Sequence, residues 1–135
     1  MIKHFKKGGF TMKQSHKESG LNLDIARRYY HVKTIEQYIE LLHINGGTYL
    51  QLHIADDENY GLESSLLQQT ATNAIVTKDV YRNADTHKAF LTYQQMSQIV
   101  AFAKKKHIEI IPELDSPGHM QGIIPAIILE KMTQD

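Results

Sequence analysis

Residues 107–120 read HIEIIPELDSPGHM. Ile108, Ile110 and Ile111 give the run 108–113 the β-branched character of a strand. The run breaks at Ser116-Pro117-Gly118, a turn-forming triplet. Glu113 and Asp115 stand between run and turn, and His119 follows the turn directly. Parallel α/β folds gather their chemistry this way, with charged groups at the C-terminal ends of apolar strands.

Upstream, the same pattern occurs twice more. GLNLD (20–24) is a short strand candidate that runs into a loop, IARRYY. TYLQLHI (48–54) alternates strictly, with Leu50, Leu52 and Ile54 on one face and Tyr49, Gln51 and His53 on the other. Helical patterns separate the strands. Thr34–Gln37 has the T-x-x-Q form of a capping box, Ile35, Tyr38, Ile39 and Leu42 follow at helical spacing, and Asn45-Gly46-Gly47 ends the segment. A second box, Thr92–Gln95, opens a helix with Met96, Ile99, Val100 and Ala103 on one stripe. Lys104, Lys105 and Lys106 fall in its last turn, where the helix dipole favours cations. Pro125, before AIILEKM, suits the start of a third helix. Strand and helix alternating in this order predict parallel βαβ units.

Each strand candidate is followed by polar residues: Asp24 and Arg27, then Asp56, Asp57 and Glu58, then Glu113, Asp115 and His119. A lone Asp at such a place reads first as a helix cap. Three strand ends in succession favour a shared site instead. The connection from Tyr60 to Phe90 is long enough to predict a lid or substrate loop.

Bulk composition narrows the function classes. The chain has 135 residues, and Lys plus Arg equals Asp plus Glu at 15 each. With a pI near 7.1, nothing in the charge points to nucleic acid or an anionic membrane. Cysteine is absent, which removes disulfides and thiolate metal sites. Residues 1–19 are basic, contain a second possible start at Met12, and lack the apolar core of a secretory signal. They read as a flexible leader, and the chain as read stays in the cytoplasm.

GLNLDIARRYY, YLQLHIADDENYGLES and FLTYQQMSQIVAFAKKKHIEIIPELDSPGHM, taken in order, resemble the first three βα units of glycoside hydrolase family 20, the β-N-acetylhexosaminidases. The resemblance runs from about Gly20 to about Ile124. It implies an α/β fold in which residues 20–135 form the N-terminal portion, about three βα units, of a (β/α)8 TIM barrel. A whole barrel takes roughly 250 residues. The family's catalytic pair is an adjacent Asp-Glu in an H-x-G-G-D-E motif after the fourth strand. That motif does not occur here, nor does any tryptophan. The chain by itself is therefore expected to be inactive, and either to require the missing barrel half or to self-associate, its apolar face of Leu50, Leu52 and Ile54 incompletely covered.

The resemblance also implies a mechanism and a set of roles. Family members are among the retaining glycosidases in which the substrate assists, its 2-acetamido oxygen attacking the anomeric carbon. The implied substrate is an N-acetylglucosamine-containing oligo- or polysaccharide, with no metal or organic cofactor, and relatives act outside the cell. Arg27 matches the arginine that binds hydroxyls of the terminal sugar, where a rigid guanidinium fork can donate two hydrogen bonds. Its bland alternative is a salt bridge to Asp24. Asp56 and His119 match a relay in which the carboxylate orients an imidazole that contacts the general acid. Glu113 and Asp115 match hydrogen-bonding residues at the barrel mouth, with Asp24 beside them, and His53 is expected to pack inside the barrel. Two rivals remain. His53, Asp56, Asp57, Glu113, Asp115 and His119 read together as metal ligands would make a metal-dependent hydrolase, although Gln51 leaves no H-x-H at His53. The other rival is a non-catalytic sugar-binding or assembly module.

Overall fold

The computed structural model describes residues 17–124. The third helix expected after Pro125, and all but the last residues of the leader, lie outside them. The elements in order are β1 (Gly20–Asp24), α1 (Val32–Ile44), β2 (Tyr49–Ala55), β3 (Ile75–Thr77), β4 (Val80–Arg82), β5 (Ala89–Phe90), α2 (Tyr93–Lys105) and β6 (Glu109–Leu114). β1, β2 and β6 form a parallel sheet in the order β1-β2-β6, so β2 is central and both crossovers run through a helix.

Alternation along the strands gives this sheet two unlike faces. Leu50, Leu52 and Ile54 point to the helix side, where they are 0%, 1% and 8% exposed. The incomplete cover expected for this face does not occur. Ile35, Ile39 and Leu42 of α1 and Ile99 and Ala103 of α2 share one core with it. The two helices also hold each other, through Gln98 Nε2 donating to Glu36 Oε1 at 3.0 Å and a Lys106–Glu40 ion pair at 2.6 Å. Two linked helices over three strands are enough to exclude water from the central one. Toward the β6 margin an apolar hollow of about 670 Å³ opens between Met96 and Val100 of α2 and Ile110 and Pro112 of β6, with Leu52 and Ile54 of β2 at its wall. It lies on the helix side, away from the strand-end carboxylates.

The helix starts test the capping readings. At α2 the box forms as expected: Gln95 N donates to Thr92 Oγ1 at 3.1 Å, and Thr92 N to Gln95 Oε1 at 3.0 Å. At α1 it does not. The helix begins at Val32 with His31 as N-cap and no side-chain cap. Thr34 N and Ile35 N already donate to the His31 carbonyl, at 2.9 and 3.1 Å, which places Thr34 inside the first turn. Asn45 caps the other end and Gly46 turns the chain at φ 73, a region open to glycine.

The long connection is no bare loop. β3, β4 and β5 form a second, antiparallel sheet within it, fastened at several points. Gln69 Nε2 donates to the carbonyls of Tyr60 and Leu62, both at 2.8 Å, and Glu63 accepts from Ala71 N and Tyr93 N, both at 2.7 Å. β2 and β6 stay in register from Tyr49↔Glu109 to His53↔Glu113; the next pair is Ala55↔Leu114, so β2 carries one extra residue, a bulge. Among the described residues no helix is long and apolar enough to cross a membrane.

Candidate active site

The polar face of the parallel sheet is a row of side chains brought level by register. Asn22 pairs with Gln51, Asp24 with His53, and His53 with Glu113. Glu113 joins the three strands: its Oε2 accepts from Asn22 Nδ2 at 3.0 Å and from Gln51 Nε2, and its Oε1 lies 3.4 Å from His53 Nδ1. His53 is thus more than a packing residue. Its Nε2 faces Asp56 Oδ2 at 3.5 Å, and Asp115 Oδ1 stands 4.0 Å from its Nδ1. The imidazole separates carboxylates from two strand ends.

Arg27 sits where β1 ends. Asp24 Oδ1 accepts from the amides of Ala26 and Arg27, both at 3.0 Å, and its Oδ2 accepts from Arg27 Nη1 at 2.9 Å. Arg27 Nη2 meets the buried Asp56 Oδ2. The helix-cap reading of Asp24 fails, because α1 starts only at Val32 and the Asp24 carboxylate instead closes the loop after β1. The salt-bridge reading holds, together with a further contact to Asp56. About half of the Arg27 side chain remains exposed. The hydrogen bond from Asp24 raises the Arg27 pKa most; its slight desolvation opposes that and the charge of Asp56 adds to it. Arg28 turns away, its guanidinium over the Tyr30 ring at 5.5 Å.

Asp56 is almost fully buried. Burial alone would raise its carboxyl pKa, but the Glu58 amide, the Arg27 charge and His53 outweigh it and hold the group below the usual carboxylate range. Neither Arg27 nor His53 is aligned for a hydrogen bond to Oδ2, so Asp56 Oδ2 and His53 Nε2 keep electrostatic partners only. His119 pairs with Asp115 Oδ2 at 2.9 Å through Nδ1, at a left-handed φ of 54. That bond first, and then the charge of Asp57, raise the His119 pKa above its ordinary value. Asp56 contributes to the field at His119 but shares no hydrogen bond with it. Asp57 Oδ1 accepts from Gln121 N at 3.3 Å and joins the second and third strand-end loops.

Among the described residues, His53, Asp56 and Asp115 bring one ligand atom each within 4.8 Å of one another. They fit a metal ion poorly. A guanidinium already holds Asp56 Oδ2, and His53 presents different ring nitrogens to Asp56 and to Asp115. Sequence reasoning brought the strand-end charges together but missed Asn22, Gln51 and Asn59. For the first two the clue was their parity with Asp24 and His53; for Asn59, set in a turn, no periodicity existed to read.

The sequence profile described as "Glycosyl hydrolase family 20, catalytic domain" matches residues 16–134. A beta-hexosaminidase of Vibrio furnissii is 29% identical over 119 residues, which span 82% of this chain and 19% of that protein. Beta-hexosaminidase B of Pseudoalteromonas piscicida is 31% identical over 123 residues, 80% of this chain and 16% of that protein. The chain thus spans roughly a fifth of such curated relatives. Among solved structures, Dispersin B superposes with a TM-score of 0.82 at 46% identity over 87% of this chain and 34% of its own. An exo β-N-acetylglucosaminidase of Vibrio harveyi, solved with N-acetylglucosamine, gives a TM-score of 0.66 at 27% identity over 83% of this chain and 19% of its own. The family is one of TIM-barrel enzymes, and this chain belongs to it, as part of the catalytic domain of glycosyl hydrolase family 20.

Proposed function

We propose that the chain forms about three βα units of a β-N-acetylhexosaminidase barrel and supplies its sugar-anchoring side. One observation carries the reading: Arg27 is held by Asp24 and Asp56 at the shared strand end while half of its side chain faces solvent. A planar fork preset in this way suits a pair of neighbouring sugar hydroxyls. The parallel sheet, polar on one face, and the apolar hollow at the β6 margin support an open barrel whose next unit packs there. Until it does, the open strand edges favour self-association.

The reaction that follows from family membership is hydrolysis of terminal or polymeric N-acetylglucosaminides with retention. The substrate's acetamido oxygen bonds to the anomeric carbon, and the leaving oxygen takes the proton of an acid. That acid and the acetamide-orienting carboxylate come from outside these 135 residues. This chain's part is to bind and to tune. Arg27 fixes the sugar, Asp24 and Asp56 hold Arg27 at the strand ends, and Asp115 orients His119. His119 and Asp56 then act on the acid through the field they share rather than through a direct bond between them.

The test joins residues 20–124 to the complementary part of the Dispersin B barrel and follows chromophore release from an aryl N-acetyl-β-glucosaminide. The fusion is expected to turn over, and the 135-residue chain alone is not. In the fusion, Arg27→Ala should lose about 30-fold or more in kcat/KM, whereas Arg28→Ala should be nearly silent. Equal, small effects of the two substitutions would remove the sugar-binding role of Arg27.

A further inference from the structure

We infer that Asn59 is the positioning residue of Arg27. The planar peptide that joins Ala26 to Arg27 is held from both ends. Its N–H donates to Asp24 Oδ1 at 3.0 Å, and its C=O accepts from Asn59 Nδ2 at 3.2 Å. Because the peptide unit is rigid, fixing both groups fixes the position of the Arg27 Cα and the axis of its N–Cα bond, which leaves only rotation about that bond to aim the side chain. The second Asn59 Nδ2 bond runs to the Ala89 carbonyl, also at 3.2 Å, so the amide is anchored on β5. The Asn59 carbonyl accepts from Asp56 N at 3.0 Å. One buried side chain thus sets the base of Arg27, while its own backbone sets the carboxylate that Arg27 Nη2 meets. Apolar groups of similar size cannot substitute, because both carbonyls would lose their partner in a site closed to water.

The consequence for catalysis rests on the sugar-binding reading of Arg27, but the geometry can be tested without sugar. In the purified chain, the carboxyl carbon of Asp56 is titrated by NMR in four proteins: the unsubstituted chain, Arg27→Ala, Asn59→Leu and the double variant. With Arg27 released, Asn59→Leu should raise the Asp56 midpoint by about half or more of the rise in Arg27→Ala. The double variant should add nothing to Arg27→Ala alone, since both act through one contact. A general loosening of the fold would instead add to it. Amide exchange supplies the local check: Arg27 N–H should exchange at least about tenfold faster in Asn59→Leu while Ile39 N–H in α1 does not change. Where Asn59→Leu does not fold, Asn59→Ser, which keeps one donor, should show the same two effects at smaller size. An unmoved Asp56 midpoint in a folded Asn59 variant, or a shift that adds fully to that of Arg27→Ala, overturns the proposal. Either result would leave the sugar assay of Arg27 standing, and a failed sugar assay would leave this one standing.

Discussion

Leu50→Ala separates a covered sheet from a bare one. Leu50 has no exposed surface, lies on the central strand, and is flanked in register by Leu21 of β1 and Ile110 of β6. It packs in the core shared with α1 and α2, so truncation removes apolar contact and leaves a cavity that its neighbours cannot all fill. Such a change costs about 2–5 kcal/mol. Against a total stability of about 5–15 kcal/mol for a small domain, that is a large fraction. Leu21, its neighbour across the ladder, is 39% exposed on an edge strand, and Leu21→Ala should cost less than about half as much. Urea unfolding followed by far-ultraviolet circular dichroism at one fixed protein concentration reads the difference. With a slope of about 2 kcal/mol per molar urea, the Leu50 variant should unfold about 1–2.5 M earlier with the slope unchanged. If the two variants shift the midpoint equally, the helices do not seal this face and the packing argument fails.

Thr92→Ala should destabilise the chain by about 1 kcal/mol through loss of the α2 cap, whereas Thr34→Ala should cost less than about half of that; thermal midpoints compare them, and equal losses would contradict the assigned helix starts. The His119 side chain should titrate above 6.5 by NMR and return towards that value in Asp115→Asn. Its folded pKa being raised, its contribution to stability is complete below the unfolded value and is lost as pH climbs through the folded one. Gly122→Ala puts a Cβ 2.4 Å from the Asp56 carbonyl and 2.9 Å from Asn59 N, both backbone atoms, and should cost about 1–3 kcal/mol. Gly118→Ala, with nothing within 4 Å, is the silent control in the same denaturation series.

What the sequence showed and what it hid divide along a physical line. Strict alternation in TYLQLHI and the apolar run before Glu113 marked β2 and β6 to within a residue, because a half-buried strand must repeat every second position. Thr92 and Gln95 marked the α2 start because both halves of that box are side-chain groups. The α1 start escaped because the His31 backbone carbonyl organises it, and any residue carries that group. β3, β4 and β5 span only two or three residues each, too short for a period to show. At the site, Asp24, Arg27, Asp56, Glu113, Asp115 and His119 were visible as strand-end charges. Their partners were not, since it is register that sets His53 beside Glu113, and the turn after β6 that brings His119 back to Asp115.

The extra residue in β2 makes the density of charge in this site a matter of counting. Without it, Ala55 would lie level with Asp115, and Asp56 would face the residue beyond. With it, Ala55 lies level with Leu114, and the third strand end slides back by one position, about 3.3 Å. That step sets Asp115 level with Asp56, and with His53 the two bring one ligand atom each within 4.8 Å of one another. Exchanging side chains one at a time leaves the step intact. Deleting a single residue between His53 and Asp56 would erase it, and the carboxylates of Asp56 and Asp115 would fall out of step through a change that alters neither of them.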